Sequence, residues 1–183
     1  MKRHLFLTGA MGIGKSTAIL DAAHDKLPRF GGFFTKRTRV AAGHALSFSL
    51  TSPDGKFEET FLDFSSGKPE IRMQVFETLG VRLLDGEILL LDEIGGIELT
   101  CPVFAQALER VLQSDRPILG VMKGTAPANA LTQALGLAEE YTLAAERLRR
   151  WLSQSEDTLL YECDLFDEKA RLLAKQWVEE YCL

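Results

Sequence analysis

Gly9-Ala10-Met11-Gly12-Ile13-Gly14-Lys15-Ser16 matches the pattern GxxxxGK[ST] without a gap, and Thr17 follows directly. The spacing has a mechanical reason. Glycines let the backbone wrap so that successive N–H groups point inward at phosphate oxygens, and the helix that follows adds the positive end of its dipole. Lys15 then reaches the β- and γ-phosphates, and the Ser16 hydroxyl is a ligand for magnesium. Such a loop belongs between a strand and a helix, and the flanks agree. His4 to Thr8 is a short apolar strand pattern, while Lys15 to about Leu27 turns helical, with Ala18, Ile19, Ala22 and Ala23 on one face and Pro28 ending it. The stretch therefore predicts a phosphate-binding loop made by Gly9, Ala10, Met11, Gly12, Ile13, Gly14, Lys15, Ser16 and Thr17.

Further along, Ile88-Leu89-Leu90-Leu91 runs into Asp92-Glu93. A continuous apolar run from Glu87 to Leu91 reads as a parallel strand buried on both faces, lying beside the phosphate-loop strand. Its carboxyl end is the sheet edge at which ligands collect in open α/β folds. Asp92 is expected to hold the metal together with Ser16, and Glu93 to orient a water for attack on the γ-phosphate. Glu98, in Gly95-Gly96-Ile97-Glu98, reads as a support for this site or, more simply, as a cap of the helix that follows.

Between these motifs lie alternating stretches rich in Thr, Val, Phe and Ser. The Ser52-Pro53-Asp54-Gly55 turn, between Ser47–Thr51 and Lys56–Phe61, predicts an antiparallel β-hairpin inserted into an otherwise alternating β/α chain. A helix is expected after Pro69, with Ile71, Val75, Phe76 and Leu79 at helical spacing. Another is expected from Pro102, with Phe104, Leu108, Val111 and Leu112 on its apolar face. Pro117 to Met122 reads as a buried strand. The remainder reads as mostly helical: a short segment around Ala128–Leu135, a short strand at Tyr141–Leu143, and helices around Ala144–Leu152 and Asp167–Tyr181. With 183 residues and no linker, one domain is expected, residues 164–183 forming a C-terminal helical extension.

Composition removes several classes. The net charge of -5 disfavours a broad cationic surface for nucleic acid or anionic lipid. Cys101, Cys163 and Cys182 are scattered, without metal-ligand or disulfide-framework spacing, and His4, His24 and His44 form no metal motif. No stretch approaches the roughly 20 apolar residues needed to span a bilayer. The expected location is the cytoplasm.

Three segments together, LTGAMGIGKST near the start, GFFTKRTR (Gly32 to Arg39) and ILLLDEIGGIEL (Ile88 to Leu99), resemble the small P-loop nucleoside-triphosphatases of archaea, bacteria and animals, whose human member is called cancer-related nucleoside-triphosphatase. The last segment resembles that family's DEIG-x-MEL pattern, with Ile97 where methionine is usual. The resemblance runs over about residues 4–123. It implies a RecA-like, mostly parallel sheet flanked by helices, and magnesium-dependent hydrolysis of ATP, GTP and other nucleoside triphosphates. It also implies that GFFTKRTR folds over the site, with Thr35 and Arg39 as further candidates. Lys36 departs from an acidic residue common there, and Glu146-Arg147-Leu148 stands where the family tends to show Asn-Arg-Asp.

On the residues alone three functions stay open. The first is a phosphohydrolase using Lys15 and Glu93. The second is a nucleoside or nucleotide kinase, whose lid would come from the stretch around Ala144–Arg150. The third is a slow nucleotide-dependent binding module with an unidentified protein partner. Lys123, Arg147, Arg149 and Arg150 are basic residues that read either as phosphate contacts or as solvated side chains.

Overall fold

The computed structural model describes residues 1–39, 45–66, 69–124, 133 and 139–182. The phosphate-loop strand β1 (His4–Thr8) is buried at all five positions. That follows from a sheet covered on both faces: Phe6 enters one apolar layer while Leu5 and Leu7 enter the other. The second layer is filled by α1 (Lys15–Ala23), through Ala18, Ile19 and Ala23, and by α5 (Glu168–Tyr181), through Ala170, Ala174, Trp177 and Val178. The first is filled by α3 (Pro102–Leu112), whose Phe104, Leu108, Val111 and Leu112 face inward, and by Leu152 of α4 (Glu139–Gln154).

Between the layers runs an eight-stranded sheet in the order β5-β4-β3-β2-β6-β7-β1-β8. The strands β2 (Gly31–Arg39), β6 (Leu89–Ile94), β7 (Ile118–Met122), β1 and β8 (Thr158–Glu162) are parallel neighbours. The strands β3 (Ala45–Thr51), β4 (Glu58–Asp63) and β5 (Glu70–Ile71) extend it antiparallel from β2. The mostly parallel α/β sheet with an antiparallel insertion is thus present. Its strand order corrects one expectation: the acidic strand β6 does not lie beside β1, because β7 pairs with both and separates them.

Other boundaries differ for identifiable reasons. The first helix ends as an α-helix at Ala23 and tightens into a 3-10 stretch, His24–Arg29, that contains Pro28. Ile71 lies on the short edge strand β5, paired with Leu62, and the helical stretch starts only after it, passing through a π-helical segment Phe76–Gly80 into α2 (Val81–Leu83). Tyr141–Leu143 lies inside α4, and the strand of this region is β8, which runs in register along the whole of β1. The segment around Ala128–Leu135 lies outside the described residues apart from position 133. Among the described residues no helix is long and apolar enough to cross a membrane, and the three cysteines are free, buried thiols.

His4, at the buried start of β1, is 1% exposed. Burial, with the Arg3 cation adding to it, pushes its pKa down to about 4 from 6.5. A depressed histidine means that below pH 6.5 the unfolded chain takes a proton which the folded chain refuses, so stability falls as pH drops from 6.5 towards 4. Down to pH 4.5 the loss amounts to roughly 2–3 kcal/mol. Urea midpoints at pH 7 and pH 4.5 should show this loss in the wild type, and His4→Gln should lack that part of it.

Candidate active site

After Thr8 the chain turns through Gly9, Gly12 and Gly14, with φ of 122°, 81° and 96°. Gly14 is the N-cap of α1, no side chain caps the helix, and its first turn contains no acidic residue, so its amides and dipole face the loop unopposed. Lys15 folds back over this turn: its Nζ donates to the carbonyl oxygens of Gly9 at 3.1 Å and Ala10 at 2.5 Å. Burial lowers the Lys15 pKa, while Cys163, Glu93 and Asp92 act in the opposite direction. Met11, at the crest of the loop, is 67% exposed.

The two carboxylates arrive from β6. They do not lie beyond the strand, as the apolar run suggests, but inside it, at a bulge. Pairing with β7 slips between Leu91 and Ile94, and Glu93 takes φ 60°. A bulge at the end of a strand re-aims side chains that a regular strand would send to alternate faces. Asp92 is 2% exposed and accepts a hydrogen bond from Ser16 Oγ at 2.7 Å. It also accepts from the backbone N–H of Thr35. Burial pushes its pKa up to about 7 and the Glu93 charge adds to this, with Ser16, Thr35 and Arg37 opposing. A buried carboxylate under such pressure is a strong seat for a positive charge, and with the Ser16 hydroxyl it makes a pair of hard oxygen donors.

Strand β2 supplies the third wall. It pairs with β6 over Gly31–Phe33 and then continues past it with β3 as its partner. Gly32 permits this: at φ 93°, a Cβ there would sit 2.0 Å from the Leu90 carbonyl oxygen. The continuation carries Thr35 to Asp92 and Arg37 to Glu93, whose carboxylate receives a hydrogen bond from the Arg37 guanidinium. The guanidinium also lies 5.8 Å from the centre of the Phe48 ring. Arg37 is the site residue that sequence reasoning missed. The signal was the two-residue period of a strand, since Thr35 and Arg37 share a face. Lys36, on the opposite face, pairs with Glu58 at 2.8 Å, so its positive charge is turned away from the carboxylates. The side chain of Arg39 lies outside the described residues.

The sequence model of the family described as NTPase matches residues 4–149, a stretch containing the loop, β2 and the carboxylate pair. The chain belongs to this NTPase family. Among its relatives, the nucleoside-triphosphatase THEP1 of Methanocaldococcus jannaschii is 30% identical over 157 residues, 78% of this chain and 88% of the relative. Those of Thermotoga petrophila and Methanosarcina barkeri are 30% and 32% identical, covering 65% and 63% of this chain and 71% and 74% of their own lengths. No solved structure matches the chain.

The remaining candidates of this NTPase family member sort by position. Glu98 does not cap α3, whose N-cap is Cys101. Its buried carboxylate accepts from Gly95 N and Gly96 N, both at 2.7 Å, and so fixes the turn that leaves β6. Burial raises the Glu98 pKa and the nearby Lys123 charge opposes this; Glu98 Oε2 and Lys123 Nζ both stand 2.6 Å from where a Cβ on Gly96 would lie. Arg149 donates to Thr8 Oγ1 at 2.8 Å and to the Lys123 carbonyl at 2.7 Å, bridging the ends of β1 and β7. Arg147 and Arg150 are exposed. The family match ends at Arg149, ahead of β8 and α5, which nonetheless pack on β1 and α1.

The Glu98 contacts give a stability prediction. Glu98→Ala leaves two buried N–H groups without an acceptor and should cost about 2–4 kcal/mol, whereas Glu98→Gln keeps a carbonyl oxygen and should cost less than half of that. Denaturant midpoints of the two variants read the difference.

Proposed function

We propose that this chain hydrolyses nucleoside triphosphates, ATP, GTP and others, to the diphosphate and inorganic phosphate, with magnesium as the metal. The observation that carries the reading is the convergence of Lys15, Ser16, Asp92 and Glu93. A phosphate loop and an acidic strand 76 residues apart are joined by the Ser16–Asp92 hydrogen bond, with a second carboxylate next to it. The relatives' name, nucleoside-triphosphatase, agrees with it.

Ser16 and Asp92 fit magnesium in donor chemistry, both being hard oxygens. Among the described residues no cluster of three or more His, Cys, Asp or Glu side chains makes a metal cage. Phosphate and water oxygens would therefore complete the coordination, as is usual for a cation that arrives with a nucleotide. When bound, magnesium supplies positive charge beside the β- and γ-phosphate oxygens.

The chain's own groups divide the rest of the work. The amides of Gly12 to Ser16 and the Lys15 ammonium hold the phosphates and offset the charge that develops on them. Glu93 accepts a hydrogen bond from the attacking water and takes its proton as the new P–O bond forms and the bond to the β-phosphate oxygen breaks. Arg37 holds the Glu93 carboxylate in the position set by the bulge. No acceptor site for phosphoryl transfer is needed by this scheme.

Phosphate should be released from magnesium-bound ATP or GTP with no other acceptor present. Release or transfer that requires an added nucleoside would replace this reading with a kinase. Lys15→Ala should abolish binding or turnover. Glu93→Gln should retain nucleotide binding and lower kcat about 10²–10⁴-fold. Arg37→Ala should lower kcat about tenfold with Glu93 present and have no further effect on the Glu93→Gln protein, as expected for residues acting as one unit.

A further inference from the structure

The arrangement of charges gives the bound polyphosphate a direction. Asp92 and Glu93 on β6 and Arg37 on β2 all lie to one side of β1 in the sheet. The terminal phosphate, where the reaction occurs, faces that side. A linear triphosphate oriented in this way carries its nucleoside the other way, across β1 towards β8.

On that side the chain leaves β8 at Glu162 and forms the loop Cys163–Asp167. Cys163 N donates to the Thr8 carbonyl at 2.9 Å, the last residue of β1 before the phosphate loop. The Cys163 carbonyl oxygen lies 2.8 Å from where a Cβ on Gly9 would stand, so the two loops are in contact and only glycine fits at that point. Three residues on, and within about 11 Å of Cys163 along the chain, stands Phe166. It is 77% exposed, and Leu165 beside it is 65% exposed.

The backbone under this exposed ring is constrained. Phe166 has φ 53°, a left-handed conformation that bulky side chains rarely adopt. The residues around it are tied down: the Asp167 carboxylate accepts from Asp164 N at 3.1 Å and from Ala170 N at 3.0 Å, where it caps α5. An aromatic ring is thus presented to solvent from a pinned loop that touches the phosphate loop.

We propose that Phe166, with Leu165 beside it, is the platform on which the base of the nucleoside triphosphate stacks. The inference rests on the reading that the triphosphate occupies the Gly9–Thr17 loop. A stacking surface accepts any base, because every base presents a π-face. Acceptance of ATP and GTP alike then follows from the platform itself.

Calorimetric titration tests it on the full chain, with magnesium present and three ligands: non-hydrolysable ATP and GTP analogues, and inorganic tripolyphosphate, which has no base. Phe166→Ala should weaken both nucleotides about tenfold and leave tripolyphosphate within about twofold of wild type, while Phe166→Trp keeps wild-type nucleotide affinity. Nucleotide affinity within about twofold of wild type in Phe166→Ala would overturn the platform, and so would an equal loss for tripolyphosphate, which would place the effect on the phosphate loop. A wild-type protein that binds nucleotides no more tightly than tripolyphosphate also overturns it. Failure of wild type to bind any of the three is a different result: it removes the phosphate-loop reading and this inference together.

Discussion

The hydrogen bond from Ser16 to Asp92, 2.7 Å long, ties the start of α1 to the end of β6 across an intervening strand. Neither group would be placed for a shared ligand without the sheet order that sets β7 between β1 and β6. In that order β7 lies between the phosphate-loop strand and the acidic strand. Ser16 is the first hydroxyl of the helix whose dipole faces the loop, and Asp92 the first carboxylate of the bulge. Their contact sets the distance between the phosphate-loop half of the candidate site and its acidic half.

The acidic half is held together at an energetic cost. Asp92 is buried next to a second carboxylate, and its pKa is pushed up to about 7 as a result. Glu93 sits in a left-handed conformation. These features are destabilising in isolation, and the surroundings over-determine them. Thr35 and Ser16 donate to Asp92, Arg37 donates to Glu93, and Glu98 clamps the two glycine amides just beyond. The strand β2 contributes two of these donors from the part that continues past its pairing with β6. The GFFTKRTR stretch does border the site, and Arg37 and Thr35 reach it.

What was legible in the sequence was local. The phosphate loop could be read because glycine spacing, the strand before it and the helix after it fall within about two dozen residues, and each is a short-range consequence of residue type. The carboxylates could be found as the end of an apolar run. That they occupy a bulge could not, because a bulge is a property of the register between β6 and β7. Arg37 was hidden for a similar reason, since it meets Glu93 only after β2 has changed partners from β6 to β3. In Thr158-Leu159-Leu160-Tyr161-Glu162, between two strongly helical segments, the local pattern was too short to announce a strand. Pairing with β1 makes it one. Tyr141 and Thr142 carry strand propensity, yet the packing of α4 prevails, with Tyr141 1% exposed.

The residues after Arg149 complete the environment of β1. The strand β8 covers its free edge, and α5 covers α1, with Trp177 buried and its indole N–H donating to the Arg3 carbonyl at 3.1 Å. They bring Cys163 against Gly9 and so form the flank of the phosphate loop opposite the carboxylates. A crystal structure with magnesium and a non-hydrolysable triphosphate measures the central claim directly. The account predicts the polyphosphate inside the Gly9–Ser16 turn, its terminal group facing Asp92 and Glu93 and its nucleoside directed towards the end of β8. A terminal phosphate directed towards β8, or a nucleotide seated away from that turn, would contradict it.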